Sequence, residues 1–78
     1  MLASPRIMAV HVEAPIAGTI LRVLVKPGDR VAAGQQVLVI ESMKMEMPIE
    51  AMTGGTVGSI EVEAGQAVED GAILLTIV

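Results

Sequence analysis

The sequence predicts an all-β fold, with two four-stranded antiparallel sheets packed as a flattened barrel or sandwich about a pseudo-twofold axis. The first observation is an internal repeat. Shifted by 37 positions, Met8–Ile40 lies over Met45–Ile77 without a gap, and eleven of those 33 positions are identical, among them Gly18/Gly55, Gly28/Gly65, Gly34/Gly71, Val31/Val68 and Ile40/Ile77. The second is composition: the chain lacks Phe, Tyr and Trp, so its core must be valine, isoleucine and leucine, and β-branched residues favour strands. The third is punctuation. Short apolar runs are separated by glycine and proline, which supply turn conformations, and no stretch keeps helical periodicity over three turns.

Residues 1–7 are expected to form a disordered tail or linker, and residues 8–78 one domain. Met8–Glu13 is the first strand, closed by the turn from Pro15 to Gly18. Thr19–Lys26 follows, with Ile20, Val23 and Val25 as its inward residues, and ends at Pro27-Gly28. Asp29–Ala32 is a short strand before Ala33-Gly34, and Gln36–Ser42 is the last of the first set. The second set mirrors it as Met45–Glu50, Thr56–Glu63, Gln66–Glu69 and Ala72–Ile77, with turns at Thr53 to Gly55, Ala64-Gly65 and Asp70-Gly71. Ile60 and Val62 alternate with Glu61 and Glu63, as a half-buried strand requires. Pro48 lacks the N–H a central strand needs, so its strand is an edge or turns that nitrogen outward. His11, its counterpart, is expected at a similar surface position.

Seventy-eight residues make one small domain, and a core of that size supplies roughly 3–5 kcal/mol. The formal charge of −4, nine acidic against five basic residues, argues against nucleic acid. Such a partner demands a basic stripe, and single strands usually want aromatic platforms. Zero cysteine removes disulfides and thiol chemistry. The amino-terminal residues lack a secretory signal, and no window reaches the ~20 apolar residues of a membrane span. A soluble cytoplasmic protein is the expectation. With one histidine and no cluster of His, Asp and Glu at ligand spacing, neither a catalytic nor a metal site is expected. Asp29, Glu69 and Asp70 lie beside turn glycines and are expected to be solvated.

Between the two copies remain Glu41, Ser42, Met43 and Lys44. The symmetry places Met43-Lys44 at the tip of a hairpin joining Gln36–Ser42 to Met45–Glu50. Two-residue hairpin loops prefer Asn-Gly or Asp-Gly, because both central residues need positive φ. Ordinary L-residues held there cost roughly 1–2 kcal/mol each. A local rule broken once in a consistent sequence marks a functional position. Lys44 offers a primary amine on a flexible stem. Exposed near Glu41 and Glu46, it is a poor catalyst by itself but a good acceptor for a modification made by another enzyme. Lys26, whose counterpart is Glu63, reads as an ordinary surface lysine. Four methionines, Met43, Met45, Met47 and Met52, lie within ten residues. Met45 and Met47 share one strand face and Glu46 takes the other. Met47 and Met52 can equally be core filling, whereas Met43 and Met45 flank an exposed turn and suit recognition by a partner.

The run Glu41-Ser42-Met43-Lys44-Met45-Glu46 resembles the Glu-Ala-Met-Lys-Met signature of biotin carboxyl carrier domains. Ala14-Pro15 to Gly18, Val25-Lys26-Pro27-Gly28-Asp29 with Val31, and Gly34-Gln35 before the lysine strand extend the resemblance over residues 8–78. It implies the same flattened barrel, with Lys44 joined to the valeryl carboxyl of biotin by a biotin protein ligase. It implies Met43 and Met45 as the flanks the ligase reads, with Glu41, Ser42 and Glu46 as motif context. A biotin carboxylase would then carboxylate the ureido nitrogen, and a carboxyltransferase would pass the group to an acyl-CoA, pyruvate or urea. The chain would shuttle the carboxyl group without catalysing either step. Ser42 replaces the usual alanine, and Met52 stands where proline is frequent. The matched halves leave no space for a protruding thumb loop, so the thumbless carriers are the nearer likeness. The alternatives are a lipoyl carrier, whose domains usually present Asp-Lys-Ala, and an unmodified β-barrel interaction module, in which a long helical insertion usually separates the halves.

Overall fold

Glycine marks two places where neighbouring strands of one sheet approach closely. A Cβ on Gly18 would lie 2.5 Å from the Glu41 carbonyl oxygen and 2.8 Å from Ile40 Cγ2. At the repeat-related Gly55, the same atom would lie 2.7 Å from Ile77 Cγ2 and from the Val78 carbonyl oxygen. The identity of these two positions is therefore steric. In the computed structural model, which describes residues 9–78, eight strands follow in order: β1 (Val10–Glu13), β2 (Gly18–Val23), β3 (Arg30–Val31), β4 (Gln36–Ser42), β5 (Met45–Glu50), β6 (Gly55–Ile60), β7 (Ala67–Val68) and β8 (Ile73–Ile77). The expected tail over residues 1–7, and Met8, lie outside the described residues.

The strands form two four-stranded sheets, ordered β1-β8-β6-β3 and β5-β4-β2-β7. Adding four to each label of one sheet, cyclically, gives the other, which is the pseudo-twofold relation in topological form. Every pairing is antiparallel. Register repeats too: Val10 opposes Ile77 and Val12 opposes Leu75, as Met47 opposes Ile40 and Ile49 opposes Leu38. The sheets pack as a flattened sandwich and do not close into a true barrel. No helix among the described residues is long and apolar enough to cross a membrane.

The core repeats residue for residue. Its cluster of buried side chains consists of Val12/Ile49, Ala14/Ala51, Ile20/Val57, Val31/Val68, Val37/Leu74, Leu38/Leu75 and Ile40/Ile77, seven pairs each 37 apart. Short aliphatic residues on one face of each sheet fill the space between the layers. Gly34 and Gly71 close equivalent turns with φ of 87° and 88°, and their N–H groups donate to Ala51 O and Ala14 O at 2.7 and 2.8 Å. Asp29 also has a structural use: its carboxylate accepts from the Lys26 N–H at 3.0 Å, as Gln66 Oε1 does from the Glu63 N–H at 3.2 Å. Pro48 lies in β5, an edge strand, and His11 is exposed on β1, the edge of the other sheet.

Two expectations need correction. The strands expected over Thr19–Lys26 and Thr56–Glu63 end at Val23 and Ile60. Beyond those points the chain makes single bonds, Leu24 N–H to Val37 O and Glu61 N–H to Leu74 O. Val25 and Val62 still pack against the core, so alternation persists after pairing stops. Met52 is not core filling, being 84% exposed in the turn after β5, whereas Met47 is half-buried opposite Ile40.

Gly18→Ala is expected to destabilise the fold by roughly 1–3 kcal/mol, because β4 backbone must move to admit the methyl group. A thermal melt checks this, at about 4–8 °C per kcal/mol for a domain of this size. An unchanged midpoint would mean that the approach of Gly18 to Glu41 is not tight.

Candidate functional site

The β4–β5 hairpin closes on two residues. Ser42 opposes Met45 as the last pair, leaving Met43 and Lys44 at the turn with φ of 54° and 64°. Two successive left-handed residues fit a type I′ turn, whose twist matches a right-twisted hairpin. They are the only non-glycine residues with positive φ among those described. The strain anticipated from the missing Asn-Gly is present, and it coincides with Lys44. Strain of this kind survives only where surrounding structure enforces it. Here the long β4–β5 ladder, Gln36–Ser42 against Met45–Glu50, supplies the enforcement.

The side chains around the tip point into solvent. Met43 is 88% and Met45 66% exposed, and Lys44 is exposed, with no hydrogen bond or ion pair to any described residue. Glu41 and Glu46 face each other across the ladder, a like-charge pair that is unfavourable when left alone. Arg22 on β2 offsets it by donating from its guanidinium to Glu46 Oε1 at 2.7 Å. With both side chains more than half exposed, the bridge contributes at most about 1 kcal/mol. Its effect is to engage Glu46, leaving Glu41 as the unpaired carboxylate beside the turn. Arg22 is also the register partner of Val39, which Pro48 opposes on the other side. Val39 is only 5% exposed although it lies outside the core cluster.

The structure thus brings together the six residues of the signature run, Glu41, Ser42, Met43, Lys44, Met45 and Glu46, on one hairpin end. Arg22 is the addition. No sequence signal pointed to it, because its reach to Glu46 depends on β2 and β5 flanking β4 with a register shift between Ile20 and Arg22. Lys26 is exposed but follows β2, away from the hairpin. Among the described residues no group of His, Cys, Asp and Glu is placed to hold a metal ion. A shallow concavity lined by Val12, Pro15, Ile49, Met52 and the carboxylates Glu13 and Glu50 lies between the edge strands β1 and β5, at the far end of β5 from the lysine.

Replacing Met43-Lys44 by Asn-Gly is expected to raise the stability of the chain by about 1 kcal/mol, since both residues accept positive φ. A higher denaturation midpoint checks this, and a lower one would show that the turn is not strained.

What carries an exposed, unpaired amine on an enforced turn is identified by comparison. Residues 10–77 match the family model described as "Biotin-requiring enzyme", the biotin/lipoyl family. The biotin carboxyl carrier protein of acetyl-CoA carboxylase from Solanum lycopersicum is 46% identical over 66 residues, covering 85% of this chain and 94% of that protein. The biotin carboxyl carrier protein of Streptococcus mutans is 50% identical over 64 residues, or 82% of this chain and 49% of that protein. The chain therefore spans nearly all of the first relative and about half of the second. Among solved structures, the urea carboxylase of Kluyveromyces lactis superposes with a TM-score of 0.87 at 32% identity, over 97% of this chain and 7% of that one. The lipoyl domain of the 2-oxoglutarate dehydrogenase complex of Azotobacter vinelandii gives 0.76 at 25% identity, over 88% and 95%. With its repeated sandwich and its lysine-tipped hairpin, this chain belongs to the biotin/lipoyl attachment family.

Proposed function

We propose that the chain is a biotin carboxyl carrier and that Lys44 is its attachment point. One observation carries the assignment to this lysine: Lys44 stands with Met43 on the enforced left-handed turn, in a chain 46–50% identical to biotin carboxyl carrier proteins. The site fits a group added by another enzyme. Lys44 Nζ is free of described partners and open to solvent, so a ligase can enclose it and accept its proton. In that step the Nζ–acyl bond forms to the valeryl carboxyl carbon as the activating group leaves. Bound biotin supplies a ureido nitrogen able to carry a carboxyl group between two active sites. The lysine stem and the rigid hairpin hold that group clear of the sandwich. The chain makes and breaks no substrate bond itself; a biotin carboxylase and a carboxyltransferase do so. The lipoyl reading is weaker. The lipoyl domain shares the fold at 25% identity, while the relatives at 46–50% are named as biotin carriers.

Production with an active biotin protein ligase, followed by intact mass and peptide mapping, tests the proposal. A single biotin on Lys44 is expected; a lipoyl adduct, or biotin on Lys26, would overturn it. The apolar flanks should matter to the ligase and not to the fold. Met43→Gln/Met45→Gln is expected to slow attachment by about tenfold or more while leaving the melting midpoint nearly unchanged, because both side chains are exposed. A large fall in midpoint would reassign these methionines to packing.

A further inference from the structure

We propose that Met43 and Met45 are a modification site for peroxides, and that their conversion to sulfoxides blocks attachment at the lysine between them. The inference rests on Lys44 being the attachment point. Met43 and Met45 are 88% and 66% exposed, while Met47, two residues on, is half-buried against Ile40. The enforced turn fixes the backbone on which both methionines flank Lys44, because Ser42 pairs with Met45 and the left-handed residues set the path between them. The chain contains no cysteine, tryptophan, tyrosine or phenylalanine. Oxidation by peroxide therefore falls on methionine sulfur, and most rapidly where that sulfur meets solvent.

The chemistry is a two-electron oxygen transfer. The sulfur lone pair attacks one peroxide oxygen, the O–O bond breaks, an S–O bond forms, and the second oxygen leaves as water. Each thioether becomes a sulfoxide with no change in net charge. An adaptable apolar side chain becomes polar and chiral, so the surface a ligase must cover around Lys44 loses its apolar flanks. The sandwich is untouched, since neither residue belongs to the core cluster. Reduction by a thiol-dependent sulfoxide reductase, which returns the thioether with formation of a disulfide and water, reverses the block.

Met52 is an internal control. It is 84% exposed but lies in the turn after β5, away from the lysine. The experiment treats the purified unmodified chain with hydrogen peroxide, maps sulfoxides by peptide mass, and measures the initial rate of biotin attachment by a biotin protein ligase. Met43, Met45 and Met52 are expected to oxidise before Met47, with the attachment rate falling about tenfold or more at an unchanged melting midpoint. Treatment with methionine sulfoxide reductases A and B is expected to restore the rate, and Met52→Leu to lose it as the unaltered chain does. A full rate with both flanking sulfoxides mapped would overturn the proposal, as would a loss that survives reduction or disappears in Met52→Leu. Failure of the attachment reading shows separately, as an untreated chain that takes up no biotin, and it removes this proposal with it.

Discussion

Lys44→Arg, produced with an active biotin protein ligase, is expected to emerge folded and without added mass, whereas Lys26→Arg takes up one biotin. Arginine keeps the positive charge, the long stem and the solvent exposure of the residue it replaces, so the turn and the sandwich have no reason to change. It cannot be the acyl acceptor, because its guanidinium stays protonated under all ordinary conditions. The comparison with Lys26 sharpens the test. Both lysines are exposed, so a ligase that reads accessibility alone would modify either. Only Lys44 stands on a turn with φ of 54° and 64°, between exposed methionines. Biotin on the arginine variant, or its absence from Lys26→Arg, would sink the assignment.

Ile40→Ala is expected to remove most of the stability of the domain and leave it close to the unfolding midpoint at room temperature. Ile40 is fully buried in β4 and opposes Ile20 of β2 and Met47 of β5. Truncating a buried isoleucine costs roughly 2–5 kcal/mol, against a total of about 3–5 kcal/mol for a single small core. Ile40→Val, at roughly 0.5–1.5 kcal/mol, should stay folded with a midpoint lowered by several degrees. Circular dichroism on heating separates the two. A cooperative transition for Ile40→Ala close to that of the parent would show that the core is not the seven repeated pairs.

The repeat was legible in the sequence and it carries burial with it, but alternation singled out Ile20, Val23, Val25, Ile60 and Val62, of which only Ile20 belongs to the seven buried pairs. Val37/Leu74 and Leu38/Leu75 are completely buried at both copies. The hairpin tip was legible for the opposite reason: Met43-Lys44 lacks the turn residues that positive φ demands, and only function or error explains that. Met52 was misjudged as possible core although the repeat held the answer, since its counterpart Pro15 is also exposed. Arg22 was out of reach. Its bridge to Glu46 depends on strand order and on a register shift in β2, and residue types along one chain encode neither. The ends of β2 and β6 were overestimated because alternation reports which face is buried, while strand length reports where a partner backbone stops.

The repeated register has a consequence for chain topology. Val10 stands against Ile77 as Met47 stands against Ile40, so the edge where β8 meets β1 is the β4–β5 hairpin left open. Counting by the period, 41 plus 37 reaches Val78 and 45 minus 37 reaches Met8. A Ser-Met-Lys bridge between those two residues would turn the molecule into a ring with one attachment hairpin at each pole. Such a ring has further turns at which it can be cut. Reopened at Gly34 or Gly71 instead, it would be a carrier with two arms, able to hold two cargoes at opposite ends of one sandwich.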